Sequence, residues 1–310
     1  MFEKVKIKNI KNILLYLLSN GTATKSRLVN ATELSNSTVS DTVNAMYQRG
    51  LLLSDGKDDS IGGRRSRIYR LNRDIGCFLG VCVDQDGADL CRTNACGNLI
   101  GSTRVPWQGP SPVQEQLLHL LQGVSTDTSH GRLLGVGIGV PGSVDHPAQK
   151  VLRYDPLEWV QLPLTALIRQ RLDLCCLLDH TVNGQIALHK VFGGARDTDD
   201  FAVLCESFPN KLALCLDGNT CRGAHNLCGQ APGLSALCEA AAAAMPLLDL
   251  DRLLCGWSTE AGRQALEALA ARLKTPHAAL YQVRRSDLAQ GMALLGELRW
   301  FETVYYLMKS

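Results

Sequence analysis

Three apolar stripes followed by a glycine-rich, basic segment fill the first 73 residues of the chain. Between Ile7 and Leu18 the apolar residues recur at helical spacing. Thr24 and Ser35 are side chains that commonly cap helices, and each of them precedes another short apolar-periodic segment. Three helices are therefore expected, and a hairpin behind them would complete a winged helix-turn-helix.

The third of these helices is expected to bury one face and to leave short polar side chains on the other. Val39, Val43 and Met46 lie at the spacing of a buried stripe. Side chains on the opposite face have the size and the hydrogen-bonding groups that suit base edges and phosphates in a DNA major groove. The residues predicted to contact DNA from this helix are Asn36, Ser37, Thr38, Ser40 and Asn44.

Arginine residues are concentrated in the predicted hairpin. Two short strands are expected at residues 51–53 and 68–71, and the segment between them contains several glycines. Arg64, Arg65 and Arg67 of this segment are predicted to reach a minor groove or phosphates. The alternative is that these charges only solvate the hairpin.

The charge of the chain is divided unevenly, and this favours DNA contact over simple solvation. Residues 1–73 contain 13 Lys and Arg against 6 Asp and Glu, a net charge of +7, whereas the remaining residues carry a net charge of −5. A basic head beside a mildly acidic body is typical of a protein in which one part meets a polyanion and the other does not. Double-stranded DNA is therefore the predicted partner.

Length and composition restrict the class of protein further. A chain of 310 residues accommodates a small and a larger domain, which we place at residues 1–73 and 74–310. The sequence contains no signal-peptide pattern and no apolar run of membrane-spanning length, which predicts a cytoplasmic protein without membrane insertion. The twelve cysteines form no C-x-x-C pair and fit no zinc module, so most are expected to fill the core and no metal site is predicted.

From about Gly76 onwards, buried strands alternate with helices, which predicts an α/β body with mixed sheets. Strands are expected at residues 77–83, 87–91, 99–105, 133–140, 174–178, 201–205 and 212–216, and helices at 113–124, 162–171 and 183–191. The alanine-rich segment after Gly233 is expected to be mostly helical.

Several segments resemble those of the ROK family (repressors, open reading frames and kinases), in the branch that carries an amino-terminal winged helix. Residues 135–145, Gly-Val-Gly-Ile-Gly-Val-Pro-Gly-Ser-Val-Asp, are very similar to the family's first glycine-rich strand and turn. Any one such match is weak, but their combination is specific. The other matching segments are residues 34–40, 63–65, 71–72, 192–196, 216–218 and 222–224.

This resemblance implies a fold and a mode of action. It implies an actin-like ATPase fold of the ribonuclease H-like kind, with two α/β lobes around a cleft, behind the winged helix. It also implies a regulator that senses a sugar or sugar phosphate and binds DNA as a homodimer or homotetramer. The family's carboxy-terminal Leu-Gly-Gly strand is missing from the sequence, so the body is expected to be truncated at that end.

Departures from the family's kinases predict a body without catalytic activity. Thr181 stands where the family has its catalytic aspartate, and a threonine hydroxyl is far too weak a base to take a proton from a sugar hydroxyl near pH 7. The two phosphate loops are altered at residues 84–88 and 207–211, where Phe208 and Pro209 replace glycine. We therefore predict no catalytic residue, no ATP binding and no cofactor.

Five polar residues remain at places where the family binds its ligand, although the family's sugar-contacting glutamate and histidine and its zinc motif are absent. They are predicted to line a reduced effector cleft for a sugar or sugar phosphate, and the alternative is that they are remnants without a ligand. These residues are Asp155, Asp179, His180, Asn183 and Gln230. Lys211 and Arg285 are expected to be solvated.

These inferences predict a transcriptional regulator, and more narrowly a repressor of carbohydrate-related genes that recognises a palindromic operator as a homo-oligomer. One alternative is a ligand-blind regulator controlled by a protein partner. A sugar kinase is disfavoured because Thr181 replaces the catalytic base.

Overall fold

Three helices and three short strands form the amino-terminal part of the chain. The computed structural model describes residues 2–57, 66–206, 211–231, 233–273 and 278–307. The strands pair in antiparallel fashion in the order β1-β3-β2. We call the described residues up to Leu71 the amino-terminal unit. Its elements are α1 (Phe2–Asn20), β1 (Thr22–Thr24), α2 (Lys25–Thr32), α3 (Asn36–Gln48), β2 (Leu52–Lys57) and β3 (Arg67–Leu71).

Both helix caps expected from the sequence are confirmed. The side chain of Thr24 accepts a hydrogen bond from a first-turn N–H of α2, and the side chain of Ser35 does the same for α3, each at 3.2 Å. Such acceptors satisfy N–H groups that have no partner within the helix. The apolar face of α3 is buried as its spacing predicts, by Val39, Val43 and Met46.

The body that follows contains two larger sheets, a small sheet and six helices among its described residues. The elements of its first half are β4 (Cys77–Val83), β5 (Gly87–Asn94), β6 (Leu99–Pro106), α4 (Val113–Thr126), β7 (Leu133–Val140), β8 (Ser143–Asp145), β9 (Lys150–Tyr154), β10 (Trp159–Leu162), α5 (Leu164–Leu172), β11 (Cys175–His180) and α6 (Asn183–Val191). The elements of its second half are β12 (Phe201–Cys205), β13 (Lys211–Leu216), β14 (Asn219–Cys221), α7 (Gly233–Leu247), β15 (Arg252–Trp257), α8 (Glu260–Leu273), β16 (Ala278–Gln282) and α9 (Arg285–Leu307).

The two five-stranded sheets repeat one topology. The first has the order β6-β5-β4-β7-β11 and the second the order β14-β13-β12-β15-β16. In each, three antiparallel strands are followed by two strands that pair in parallel. The body is therefore a duplicated mixed α/β arrangement, which agrees with the two lobes that the resemblance implied.

The glycines of the first sheet allow α9 to lie directly on it. A Cβ atom added at Gly80 would lie 1.7 Å from the carbonyl oxygen of Ala289, and one at Gly137 would lie 1.8 Å from that of Met292. No side chain fits at such distances, and the atoms in the way are backbone. The glycine-rich strand is thus explained by helix packing.

One prediction for the body is wrong in part. The segment after Gly233 is not simply helical, because Arg252–Trp257 and Ala278–Gln282 form two parallel strands of the second sheet. Leu253, Leu254 and Cys255 are buried between helices. A short run buried on both faces lacks the alternation that marks a strand, so the surrounding alanine-rich helices masked it.

The amino-terminal unit shares a hydrophobic core with the body. Apolar residues of α1, α2, α3 and β3 pack in one cluster with Ala187 and Val191 of α6 and with Leu294 and Leu298 of α9. The hydroxyl of Ser19 also donates a hydrogen bond of 2.9 Å to the carbonyl oxygen of residue 190, beside this cluster. The position of α6 therefore affects the seat of the amino-terminal unit directly.

Candidate functional sites

The outer face of α3 presents most of the side chains that the sequence selected for DNA contact. Asn36, Ser37 and Asn44 are exposed, and Thr38 and Ser40 are half-buried. Ser37, Ser40 and Asn44 lie on the side of α3 that faces away from its buried stripe, and Asn36 and Thr38 flank the stripe. This face is polar and open to solvent.

Lys25 joins this face, and sequence reasoning missed it. Its ammonium group donates to the hydroxyl of Ser40 at 2.9 Å and to the side-chain oxygen of Asn44 at 2.7 Å. Burial, and then the neighbouring charge of Arg67, lower the pKa of Lys25. Lys25 directly follows the Thr24 cap and is the first residue of α2. Its position after a predicted helix cap was the signal available in the sequence.

Arg67 of the hairpin is exposed and lies over an aromatic pair. Its guanidinium carbon is 5.3 Å from the ring centre of Tyr47, which meets Tyr69 edge to face at 5.8 Å. A cation over an aromatic face is held in position without being neutralised. Arg67 and Lys25 therefore place two positive charges beside α3. Arg64 and Arg65 lie outside the described residues.

A second candidate site is a cavity of about 360 Å³ between the two halves of the body. Three of the five predicted effector residues line it, namely Asp155, His180 and Gln230. Asp155 and Gln230 are exposed, whereas His180 is buried. These three predicted residues therefore share one cavity, and their role in effector binding stays a prediction.

The other two predicted residues, Asp179 and Asn183, are buried next to His180. The carboxylate of Asp179 accepts hydrogen bonds from the Asn183 amide and the His180 N–H, both at 2.8 Å. Its second oxygen accepts from the guanidinium of Arg222 at 2.5 and 3.1 Å. Burial alone would raise the pKa of Asp179, but the charge and hydrogen bonds of Arg222 lower it below its usual value. Asp179 is therefore an ionised, fully paired carboxylate.

Arg222 belongs to the second half of the body, so its ion pair with Asp179 joins the two lobes. Only 2% of the Asp179 side chain is exposed, against 24% for Arg222. His146 adds a weaker contact, with Nε2 3.8 Å from the same carboxylate. The Asp179–Arg222 pair thus joins the two halves of the body next to the cavity.

The expectation of a solvated Lys211 is wrong. Lys211 begins β13 and is 3% exposed. Burial lowers its pKa from 10.5 to about 8, although the charge of Asp179 works in the opposite direction. The neighbouring residues 207–210, which include the altered second phosphate loop, lie outside the described residues. No alternation of apolar and polar residues marked Lys211 as buried, because its strand is buried on both faces.

His180 is a neutral imidazole at the edge of the cavity. Its Nδ1 accepts a hydrogen bond from the Val182 N–H at 3.3 Å, which leaves the ring proton on Nε2. Burial and then the charge of Lys211 hold the pKa of His180 well below its usual value. His180 can therefore donate one hydrogen bond to a ligand.

The region aligned with the kinase phosphate loop is occupied by ion pairs. Asp84 pairs with Arg104 at 2.8 Å and also with Arg285, and Asp89 pairs with the same two arginines at 2.6 and 3.1 Å. The expectation that Arg285 is simply solvated is therefore wrong. Thr181 lines the adjoining cavity of about 280 Å³, and its hydroxyl is buried without a hydrogen-bond partner. No carboxylate stands at the position of Thr181 to act as a base.

Within the described ranges, no three side chains of His, Cys, Asp and Glu come together in a way that suits a metal ion. No described helix has the length and apolar character needed to cross a lipid bilayer.

Curated relatives of this chain are repressors. The xylose repressor of Caldicellulosiruptor bescii is 25% identical over 233 residues, which is 72% of this chain and 58% of the relative. The xylose repressor of Bacillus subtilis is 25% identical over 230 residues, which is 73% of this chain and 60% of the relative. The chain thus spans about three fifths of the length of the curated relatives that it matches.

Solved structures with the same fold include a regulator and a kinase. One is a ROK family transcriptional regulator, described as a homolog of the E. coli MLC protein, which superposes with a TM-score of 0.72 at 13% identity. The superposition includes 97% of this chain and 100% of the regulator's chain. A ROK family glucokinase from Streptomyces griseus, in complex with glucose and AMPPNP, gives a TM-score of 0.58 at 15% identity, over 71% of this chain and 99% of its own. The regulator therefore shares the fold of the amino-terminal unit as well as that of the body.

The family model supplies the last comparison. Residues 87–225 match the model described as the ROK family. This range includes Asp179, His180, Asn183 and Arg222, and the strand–helix order around them is the one described above. Residues 87–225 are therefore similar to the ROK family model.

Proposed function

We propose that this protein is a DNA-binding transcriptional repressor of sugar-related genes. Residues 1–73 act as a winged helix-turn-helix DNA-binding domain, and residues 74–310 form the effector and oligomerisation domain. The observation that carries the proposal is the open polar face of α3, flanked by Lys25 and Arg67, in a chain whose body is similar to the ROK family model. The names of the xylose repressors support the same function.

The DNA-binding part of the proposal has a concrete geometry. The outer face of α3 enters a major groove, where Asn36, Ser37, Thr38, Ser40 and Asn44 meet base edges and phosphates. Lys25 and the arginines of the hairpin, Arg64, Arg65 and Arg67, neutralise phosphates or enter the adjoining minor groove. A homodimer or homotetramer would present two such faces to a palindromic operator.

Selection of genomic DNA fragments by the purified protein, at a stated salt concentration, tests this directly. The proposal predicts an enriched palindromic motif beside genes of carbohydrate metabolism. Enrichment without any motif would mean that the amino-terminal unit is only an electrostatic anchor, which contradicts sequence-specific repression. The matched control is a Ser37→Glu/Asn44→Glu variant, whose added negative charges on the face of α3 should abolish enrichment.

The cleft is proposed as the effector site, with Asp155, His180 and Gln230 around the ligand and Asp179 and Asn183 beneath it. A bound sugar or sugar phosphate changes DNA affinity only if it binds two states of the protein differently. Helix α6 connects the sites, because its first residue, Asn183, bonds to Asp179 and its Ala187 and Val191 pack against the amino-terminal unit. A shift at one end of this nine-residue helix therefore moves the surface of α6 against which the amino-terminal unit packs.

A ligand-blind repressor controlled by a protein partner is the second candidate, and the Asp179–Arg222 pair favours it, because this pair already satisfies the buried carboxylate next to the cavity. Thermal denaturation with xylose, glucose and their phosphates separates the two. An effector at one hundred times its dissociation constant stabilises the protein by about 2.7 kcal/mol. A shift with one of these sugars that is lost in a His180→Ala variant supports the effector site, and no shift with any of them supports the ligand-blind repressor.

A sugar kinase is the remaining alternative, since the fold is shared with a glucokinase. Thr181 and the ion pairs of Asp84 and Asp89 oppose it. Incubation with ATP, magnesium and the same sugars is expected to give no sugar phosphate. If the wild type forms sugar phosphate from ATP, and a Thr181→Asp variant forms it no faster, the prediction that the protein is not a sugar kinase is wrong.

A further inference from the structure

The turn that follows β14 brings two cysteines together. Cys221 is the last residue of β14, and Cys228 lies in the loop before α7. Their sulfur atoms are 3.6 Å apart, with the Cys228 thiol donating to the Cys221 sulfur. The turn between them is closed by a backbone hydrogen bond of 3.1 Å from the Cys228 N–H to the Arg222 carbonyl oxygen.

This pair differs from the other cysteines of the chain. All twelve cysteines lie in the described part of the chain, and seven are fully buried. Cys221 and Cys228 are both half-buried, so a small oxidant in solvent can reach them. Between the described cysteines, no other hydrogen bond joins two sulfur atoms. The loop therefore contains a close and accessible thiol pair.

We propose that Cys221 and Cys228 form a reversible intramolecular disulfide. A disulfide has a sulfur–sulfur length of about 2.05 Å, so the two atoms must approach by about 1.5 Å. Gly223 and Gly229 lie next to the two ends of the turn with φ of +75° and +74°. A glycine adjusts its backbone dihedrals at little steric cost, so the turn can close by a change at Gly223. Gly229 stays on β13, where its carbonyl oxygen accepts a hydrogen bond of 3.1 Å from the Leu212 N–H.

The oxidant is a peroxide, and the reaction balances with hydrogen peroxide as its simplest member. The Cys221 thiolate attacks one oxygen of hydrogen peroxide, the O–O bond breaks, and a sulfenic acid and one water form after proton uptake. The Cys228 sulfur then attacks the sulfenic sulfur, the S–O bond breaks, and a second water leaves. Two thiols thus lose two electrons and two protons, and peroxide is reduced to two waters.

The order of these steps follows from the surroundings of Cys228. Burial, and then the hydrogen bond to Cys221, raise the pKa of Cys228 to about 11. The Cys228 thiol donates to the Cys221 sulfur, so a thiolate formed at Cys221 keeps this hydrogen bond, and the reaction begins at Cys221 because the thiolate is the reactive form. Once Cys221 is oxidised this hydrogen bond is gone, and Cys228 is already in position to attack.

The disulfide acts on the cleft through one residue inside the turn and one residue just beyond it. Arg222, which pairs with Asp179, is adjacent to Cys221, and Gln230 lies two residues after Cys228. Oxidation ties the two ends of this turn together and holds Arg222 on Asp179. The effect on ligand or DNA binding rests on the proposed function, whereas formation of the disulfide does not.

Peptide mapping tests the pair in the full-length protein. Trypsin cleaves after Arg222, so Cys221 and Cys228 fall in the separate peptides 212–222 and 223–252. After hydrogen peroxide treatment of the wild type at pH 7, these peptides should be joined, with fragmentation placing the link at Cys221 and Cys228. Dithiothreitol should separate them again.

Three variants complete the experiment. Cys238→Ser removes another half-buried cysteine and should leave the cross-link intact. Cys221→Ser should lose the cross-link and leave Cys228 as a thiol, whereas Cys228→Ser should trap Cys221 as a sulfenic acid or as a mixed disulfide with added glutathione. A folded wild type that forms no link between Cys221 and Cys228, or that oxidises at other cysteines first, overturns the proposal, whatever the outcome of DNA selection.

Hydrogen exchange then measures the effect on the loop. The amides of residues 222–230 should exchange more slowly in the oxidised wild type than in the reduced protein, and Cys221→Ser should show no such difference. Equal exchange in both redox forms of the wild type would contradict the tethering of Arg222.

Discussion

The outer face of α3 and the cleft of the body are both polar, but they differ in what their polar groups bond to. On α3, Asn36 and Ser37 are exposed and meet the solvent. In the cleft, Asp179 is buried and every one of its oxygens is bonded to a group of the same chain. The exposed groups of α3 bond to one another and to Lys25, and they can exchange these bonds for bonds to a partner, whereas the carboxylate of Asp179 is fully bonded and buried.

This difference assigns different tasks to the two regions. The face of α3 is suited to an external polyanion, and the positive charge of the amino-terminal residues strengthens that attraction. Beneath the cavity of the cleft, Asp179 is buried and already paired with Arg222, so a ligand that reached Asp179 would have to replace bonds that the chain makes. We therefore expect substitutions in the cleft to change stability and substitutions on α3 to change DNA affinity.

The largest expected effect is that of Arg222→Ala on stability. The change leaves the buried carboxylate of Asp179 without its cationic partner, and such a loss typically costs about 3–5 kcal/mol. Urea denaturation at pH 7 measures it. The control Arg153→Ala breaks the solvent-exposed pair with Asp155 and should leave the free energy of unfolding nearly unchanged.

A double variant sharpens this prediction. Asp179→Asn combined with Arg222→Ala removes the stranded charge and should recover most of the lost stability. If Arg222→Ala lowers the free energy of unfolding as little as Arg153→Ala does, the Asp179–Arg222 pair does not stabilise the cleft, and the contrast between the two regions fails.

The next effect is the pH dependence of the Lys211→Met variant. Lys211 has a folded pKa of about 8 against 10.5 for the free side chain, so the unfolded state binds more protons between these values. The charged form is therefore penalised in the fold at pH 7, and the wild type gains stability as the pH rises from about 8 to 10.5. Lys211→Met should be more stable than the wild type at pH 7 by up to about 3 kcal/mol.

The shape of this difference is the decisive part. The advantage of Lys211→Met should shrink as the pH is raised from 8 toward 10.5, as measured by denaturation of both proteins in matched buffers. An advantage that stays constant over this range would contradict a buried, protonated Lys211.

A smaller effect is expected on DNA affinity from Lys25→Ala. If Lys25 contacts one phosphate, the slope of log K against log salt should fall by about 0.9. Arg67→Ala should act in the same direction, and the double change Arg64→Ala/Arg65→Ala should weaken binding to all sequences. Lys150→Ala, a lysine of the body, is the matched control and should leave the slope unchanged. An unchanged slope in Lys25→Ala would remove Lys25 from the DNA-facing surface.

The smallest change in affinity, and the largest change in preference, is expected from Asn44→Ala. The side chain of Asn44 is held by Lys25 and is exposed on α3, where it can read a base edge. Base preference at one operator position should relax by about 1–3 kcal/mol, with little change in the salt slope. Repeated selection with the variant measures it, and an identical motif would exclude Asn44 from base readout.

Local signals were enough to predict the three helices and the hairpin strands of the amino-terminal unit and most of the two larger sheets, whereas β1 and the small sheet of β8, β9 and β10 were not predicted. Thr24 and Ser35 predicted the starts of α2 and α3, because a helix cap is a local interaction. The glycine-rich strand at Gly137 was recognisable because it resembles a family motif. The missed strands at 252–257 and 278–282 are defined by pairing with β12, which no local period reports.

The cleft shows the same limit for side chains. Asp179, His180 and Asn183 are close in sequence, so their proximity was foreseeable. The partner Arg222 is 43 residues away and comes from the other sheet, and Lys211 was mistaken for a solvated residue. Contacts between lobes and burial depend on the tertiary fold, so neither was available from spacing.

The most direct test of the account is the ratio of two dissociation constants, for the selected operator and for a scrambled duplex of equal length at the same salt concentration. A repressor that reads bases through α3 should prefer the operator by a factor of about 10³ or more, and the Ser37→Glu/Asn44→Glu variant should lose that preference. A ratio near one for the wild type would contradict sequence-specific recognition and leave only electrostatic attraction to DNA.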